Sequence, residues 1–171
     1  MVCLFNACAR LGNAEIGEKG HGFAVKVGLD SGIKACNAAM DMYVKCGQLG
    51  MARRVFEVME ERSVVSWTAT LDGVVKLDGV GNGRLVFDQM NERNEVAWTI
   101  MIVGYLSIGL ICESFSLLEE MVFGCFLKLN FVTLCSFLSA CAQSGDRVTG
   151  SWVHAYALKT MESYMKLDEM I

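Results

Sequence analysis

The chain has 171 residues, 53% of them hydrophobic and 20% charged, so it can bury a core and is not disordered by composition. Its formal net charge of −4 removes any bulk electrostatic case for nucleic acid. The absence of proline is compatible with long runs of helix.

The first segment, 1–32, contains Ala7-Cys8-Ala9, Gly12, Gly17, His21, Ala24 and Lys26. These return 133 residues later as Ala140-Cys141-Ala142, Gly145, Gly150, His154, Ala157 and Lys159. A unit of this type therefore fills 1–32 in part and recurs over 131–165, leaving 166–171 as a tail. A second unit type lies between. VFEVMEERSVVSWT at 55–68 returns 31 residues on as VFDQMNERNEVAWT at 86–99. A fixed period in this range marks an array of supersecondary units. The units are 33–63, 64–94 and, with an insertion, 95–130.

Each unit is expected to be a helix, a short turn and a second helix. Cys36, Met40, Tyr43 and Val44 follow the i, i+4, i+7, i+8 spacing of one helix face. Trp67, Leu71, Val74 and Val75 repeat it, as do Trp98, Ile102, Tyr105 and Leu106. Gly47 and Gly109 fall where a helix should stop, and Asp78 takes that turn position in the middle unit. The second helices begin Leu49, Val80 and Ile111, and each has a small residue three places on: Ala52, Gly83, Ser114. A small side chain there lets the two helices of a hairpin approach closely. The aromatic and methionine residues are expected in the core, so Trp67 and Trp98 are scaffold and not a stacking platform.

No two of the eight cysteines are spaced CxxC, and His21 and His154 stand far from any pair of them. Clustered zinc ligands are not offered, and no metal or cofactor is expected. The cysteines are expected to be buried, reduced thiols acting as small hydrophobes. Two runs, 96–112 and 129–145, carry no charge over 17 residues, just under the length of a membrane span. The first is the 31-residue echo of 65–81, which contains Asp72, Lys76 and Asp78. No membrane partner is expected. Met1-Val2-Cys3-Leu4 enters an apolar run with no basic leader, and Met1 lands inside a repeat. The expectation is an internal piece of a longer protein, without its own signal or transit peptide.

Asp41-Met42-Tyr43-Val44-Lys45-Cys46-Gly47, Ala52-Arg53-Arg54-Val55-Phe56, Glu61-Arg62-Ser63-Val64-Val65-Ser66-Trp67 and Leu138-Ser139-Ala140-Cys141-Ala142 resemble the pentatricopeptide repeat family of plant organelles. The resemblance covers all but 161–171. The mixture of unit lengths resembles the subclass that alternates standard, long and short repeats. It departs at the proline that usually closes the second helix, where Glu60 and Asn91 stand, and at Lys128-Leu129-Asn130, usually Lys-Pro-Asn. Second helices are therefore expected to run on, and the turns between units to be less fixed.

The resemblance implies an all-α fold, an α-α superhelix wound as a right-handed solenoid of helical hairpins. It implies single-stranded RNA as partner at about one base per repeat, in a mitochondrion or chloroplast. Through the subclass it implies cytidine-to-uridine editing, with proteins of an editing complex as further partners. No enzyme activity or small-molecule substrate is implied, and H-x-E and C-x-x-C, the signature of deaminase chemistry, do not occur.

In the family a base is read by the fifth residue of a repeat together with its last. By position these are Thr68 with Asn94, Thr99 with Asn130, and Asn37 with Ser63. Threonine with asparagine implies adenine, hence two adjacent adenines for the middle units. No base follows from Asn37 with Ser63. The second residues, Val65 and Val96, would lie between stacked bases, and Lys45 and Lys76 could touch phosphates. Without the family, the threonines are N-terminal helical residues, the asparagines turn residues, and the lysines complements to a helix C-terminus. Two other functions fit the chain: a protein-binding hairpin array gripping a peptide, or a nonfunctional diverged fragment.

Overall fold

The units fold as the hairpins their spacing predicts. The computed structural model describes residues 1–29, 32–125 and 127–168, with side chains as far as Lys159. In chain order the helices are α1 (Val2–Leu11) and α2 (Ala14–Val27), α3 (Ile33–Lys45) and α4 (Leu49–Val58), then α5 (Val64–Asp78) and α6 (Val80–Gln89). They continue with α7 (Glu95–Ser107) and α8 (Ile111–Glu119), which passes into a π-helical turn (Glu120–Gly124), then α9 (Phe131–Ser144) and α10 (Arg147–Asp168). The described residues contain no strand, so the fold is all-α.

The chain divides into two compact units, Met1–Ala97 and Trp98–Ile171. In the first, α1 packs on α3 and α3 on α5, so the first helices of three hairpins lie side by side. Each intervening second helix bridges two of them: α2 touches α1 and α3, α4 touches α3 and α5. Neither helix of a hairpin could cover its apolar stripe alone, which is why the stripes repeat with the units. Phe5, Met40, Met42 and Tyr43 are fully buried at these seams. In the second unit Leu118, Met121, Phe137 and Val153 are fully buried. There Phe115 of α8 meets Phe137 of α9 and Trp152 of α10 edge-on, at 6.4 and 5.2 Å between centroids. The small positions are buried as expected. The Ser114 hydroxyl donates to the Ile102 carbonyl across the α7–α8 hairpin at 3.0 Å.

The 133-residue echo is structural. Gly12 and Gly145 both take left-handed backbone and donate to the carbonyls of Cys8 and Cys141, which are themselves equivalent. The residues that follow, Asn13 and Asp146, both cap a second helix, accepting from the amides of Ile16 and Thr149 at 3.1 Å. Bonds from the Thr149 hydroxyl and amide hold the Asp146 carboxyl below its ordinary value.

Three expectations are corrected. Gly47 (φ +73°) and Gly109 (φ +79°) do stop their helices, but Asp78 does not take a turn geometry. It is the last helical residue of α5, and Gly79 (φ +91°, ψ 161°) makes the turn alone, serving both helix ends. That conformation is open essentially only to glycine, so the turn sits where the glycine is. Asp78 instead pairs with Arg53 at 2.7 Å.

Second, α4 and α6 do not run on: Met59 and Met90 take extended backbone at the usual place. An arginine replaces the stop that proline would give. Arg62 Nε donates to the Phe56 carbonyl at 3.1 Å, its terminal nitrogen donates to the Glu57 carbonyl at 3.1 Å, and its guanidinium lies 4.7 Å over the Phe56 ring. Arg93 repeats this on Phe87 and Asp88, with 4.6 Å to the Phe87 ring. The arginines thus add a side-chain donor to helix-end carbonyls, beside the Met59 and Met90 amides that already donate to Phe56 and Phe87, with cation–π contact added. In 95–130, by contrast, the second helix does continue, as the π turn.

Third, the cysteines are free thiols, but only Cys8 and Cys141 are buried; Cys3, Cys112, Cys125 and Cys135 are exposed. Among the described residues no helix is long and apolar enough to cross a membrane.

Candidate nucleic-acid interface

The last residue of each central unit stands immediately before the next first helix, and this position makes it a helix cap. Ser63 accepts from the Ser66 amide at 3.2 Å, Asn94 from the Ala97 amide at 2.9 Å, and Asn130 from the Thr133 amide at 2.9 Å. All three are N-caps, satisfying a backbone donor that the helix cannot. The alternative reading of Asn94 and Asn130 as turn residues is thereby sharpened. Capping also orients the amide, because only its oxygen can accept. The oxygen faces the helix and the Nδ2 group faces away.

In 95–130 the predicted pair is in direct contact. Asn130 Nδ2 donates to Thr99 Oγ1 at 2.9 Å. Thr133 Oγ1 donates to Asn130 Oδ1 at 2.9 Å, and the two threonine hydroxyls are 3.2 Å apart. The three side chains form a closed ring of contacts: Asn130 with Thr99, Thr99 with Thr133, Thr133 with Asn130.

In 33–63 the pair is joined through an intermediary. Ser66 Oγ donates to Asn37 Oδ1 at 2.8 Å and lies 3.0 Å from Ser63 Oγ, which must then be the donor to it. In 64–94 the pair is not joined. Thr68 Oγ1 turns back on its own helix, donating to the Val64 and Val65 carbonyls at 3.0 Å each. Thr68 is 8% exposed, and its hydroxyl can offer a partner only lone pairs. The residue that could bridge it to Asn94 is Ala97, which has no hydroxyl.

The missed residues are therefore Ser66 and Thr133, third in the unit that follows each joined pair; Ala97 is their counterpart. Their only sequence signal is a hydroxyl at matching register on a first helical turn. Val65 and Val96, on the first turns of α5 and α7, are 60% and 53% exposed. Lys45 and Lys76 are exposed, but each is paired one turn back along its own helix, with Asp41 at 2.7 Å and Asp72 at 2.6 Å. Exposed pairs of this kind are weak, so neither lysine is locked in place.

Comparison with known proteins agrees with this architecture. The PPR repeat family matches residues 34–64 and 96–123. The pentatricopeptide repeat-containing protein At5g15340, mitochondrial, of Arabidopsis thaliana is 58% identical over 159 residues, 93% of this chain and 26% of that protein. The protein At1g08070, chloroplastic, of the same name and organism is 31% identical over 95% of this chain and 18% of its own length. The chain thus spans about a quarter or less of these curated relatives. Among solved structures, the pentatricopeptide repeat protein PPR10 in complex with an 18-nt psaJ RNA element superposes with a TM-score of 0.71 at 19% identity, covering 95% of this chain and 25% of that one. That likeness fixes the helical-repeat fold. With repeats in register, a matching family and relatives along nearly its whole length, the chain belongs to the pentatricopeptide repeat family.

Proposed function

We propose that this array binds single-stranded RNA in a mitochondrion or chloroplast, one base per repeat. Thr68 with Asn94 and Thr99 with Asn130 each read an adenine, and Asn37 with Ser63 is assigned no base. Val65 and Val96 lie between neighbouring bases, and Lys45 and Lys76 meet phosphates. The finer part of the proposal is that the repeats belong to the subclass alternating standard, long and short units. There the array selects a transcript for cytidine-to-uridine editing, and editing-complex proteins supply the chemistry.

One observation carries the base reading. In 95–130 the Asn130 oxygen is held by Thr133, and one amide hydrogen is used on Thr99. The second amide hydrogen diverges from the first in the plane of the group, beside a hydroxyl oxygen. An N–H donor next to an oxygen acceptor complements adenine, which presents N1 as acceptor and its exocyclic amine as donor. The names of the relatives support the compartment, and the RNA bound to PPR10 supports the ligand class.

Filter binding with short single-stranded RNAs tests this. An RNA with two adjacent adenines should outcompete its uridine counterpart, and Thr68→Val with Thr99→Val should erase the difference. Equal binding of the two RNAs to the unmodified chain would remove the base-reading claim.

A further inference from the structure

Two units hold the same pair of letters, threonine fifth and asparagine last, yet the structure treats them differently. Asn130 is held by three side-chain bonds, from the Thr133 amide, from the Thr133 hydroxyl and to the Thr99 hydroxyl. Asn94 has one, from the Ala97 amide, and Thr68 faces its own helix. The variable is the third residue of the unit that follows. Thr133 closes the ring, Ser66 bridges Asn37 to Ser63, and Ala97 can do neither. All three positions are fully buried, so the hydroxyls at 66 and 133 face protein partners and not solvent.

We propose that the third residue of a following repeat is a positioning residue for the reading pair before it. A hydroxyl there fixes the pair in one geometry, and an alanine leaves it adjustable. The residue touches no base. It acts by holding the asparagine amide and the fifth side chain before RNA arrives, so that less ordering is left to binding. This rests on the base reading proposed above and adds to it: units with identical letters differ in stringency, 95–130 being stricter than 64–94. A buried hydroxyl that holds a partner contributes an effect of about threefold to tenfold in an equilibrium.

The test uses the 171-residue chain and RNAs in which each of the two adjacent adenines is changed singly to uridine. The two changes should carry unequal penalties. Thr133→Ala should lower the larger penalty roughly threefold to tenfold and leave the smaller one alone, whereas Thr133→Ser should preserve both. Ala97→Ser should raise the smaller penalty; serine is already accommodated at the equally buried position 66. A second readout needs no RNA. The Asn130 side-chain amide should exchange hydrogen more slowly than that of Asn94, and Thr133→Ala should abolish the difference. If the unmodified chain shows no base preference, the base reading fails and this proposal falls with it. If the preference stands but Thr133→Ala and Ala97→Ser leave both penalties unchanged, or Asn130 exchanges as fast as Asn94, the positioning role alone is overturned.

Discussion

Asn94 caps a helix, and under the proposed function it also reads a base; one substitution can separate the two. Its oxygen caps α7 through Ala97, and its nitrogen is the group that the proposal offers to a base. Asn94→Ala should lose both, with a stability cost of about 1 kcal/mol visible in chemical denaturation. Asn94→Asp keeps the cap, since a carboxylate accepts as well as an amide. It presents acceptors where a donor stood, so competition binding should show adenine losing ground to guanine, whose Watson–Crick edge carries N–H donors. The cap at Asp146 supplies a pH test. Its carboxyl lies below the ordinary value of 3.8, so its contribution is present above that value and lost as pH falls through the depressed one. Asp146→Asn, copying the natural Asn13 cap, should flatten the acid limb of the stability profile. Asn94 is legible only through the family resemblance, and neither the Asn13 cap nor the Asp146 cap is written in the 133-residue register. Nor could the register reveal the bridging hydroxyls, because Ser66–Asn37 and Thr99–Thr133 join residues 29 and 34 apart in sequence. A hydroxyl on a first helical turn looks the same whether or not it bridges.

Helix ends show what periodicity can and cannot convey. The stripes gave the hairpins because burial on one face is written every three or four residues. The stops were harder. Asp78 aligns with Gly47 and Gly109, but alignment carries no backbone angle, and the neighbouring glycine took the strained geometry. Gly79→Ala should cost about 1–3 kcal/mol in thermal or denaturant unfolding, because φ +91° with ψ 161° suits no side chain. Gly47→Asn should cost far less, since its left-handed angle is one that asparagine tolerates. The missing prolines imply second helices that run on. Arg62 and Arg93 were visible in the 31-residue echo, but their capping role depends on a side chain folding back over five and six residues.

Across the whole molecule the charge balance decides how binding responds to salt. A net charge of −4 gives no general attraction for RNA, so under the proposed function any salt-dependent part of the affinity comes from particular cations. Lys45 and Lys76 sit 31 residues apart, each tethered to an aspartate by an exposed pair that a phosphate can displace. Lys45→Ala with Lys76→Ala should reduce the salt slope of RNA binding by about 0.7 per lysine, and an unchanged slope would place the phosphates elsewhere. The caps at the unit boundaries have a last consequence, for retargeting. A residue that must begin the next helix is confined to the few side chains that do so well: asparagine, aspartate, serine and threonine. Any new target written at that place has to be spelled in those four letters, and a bulkier or aliphatic choice would loosen the very scaffold meant to present it.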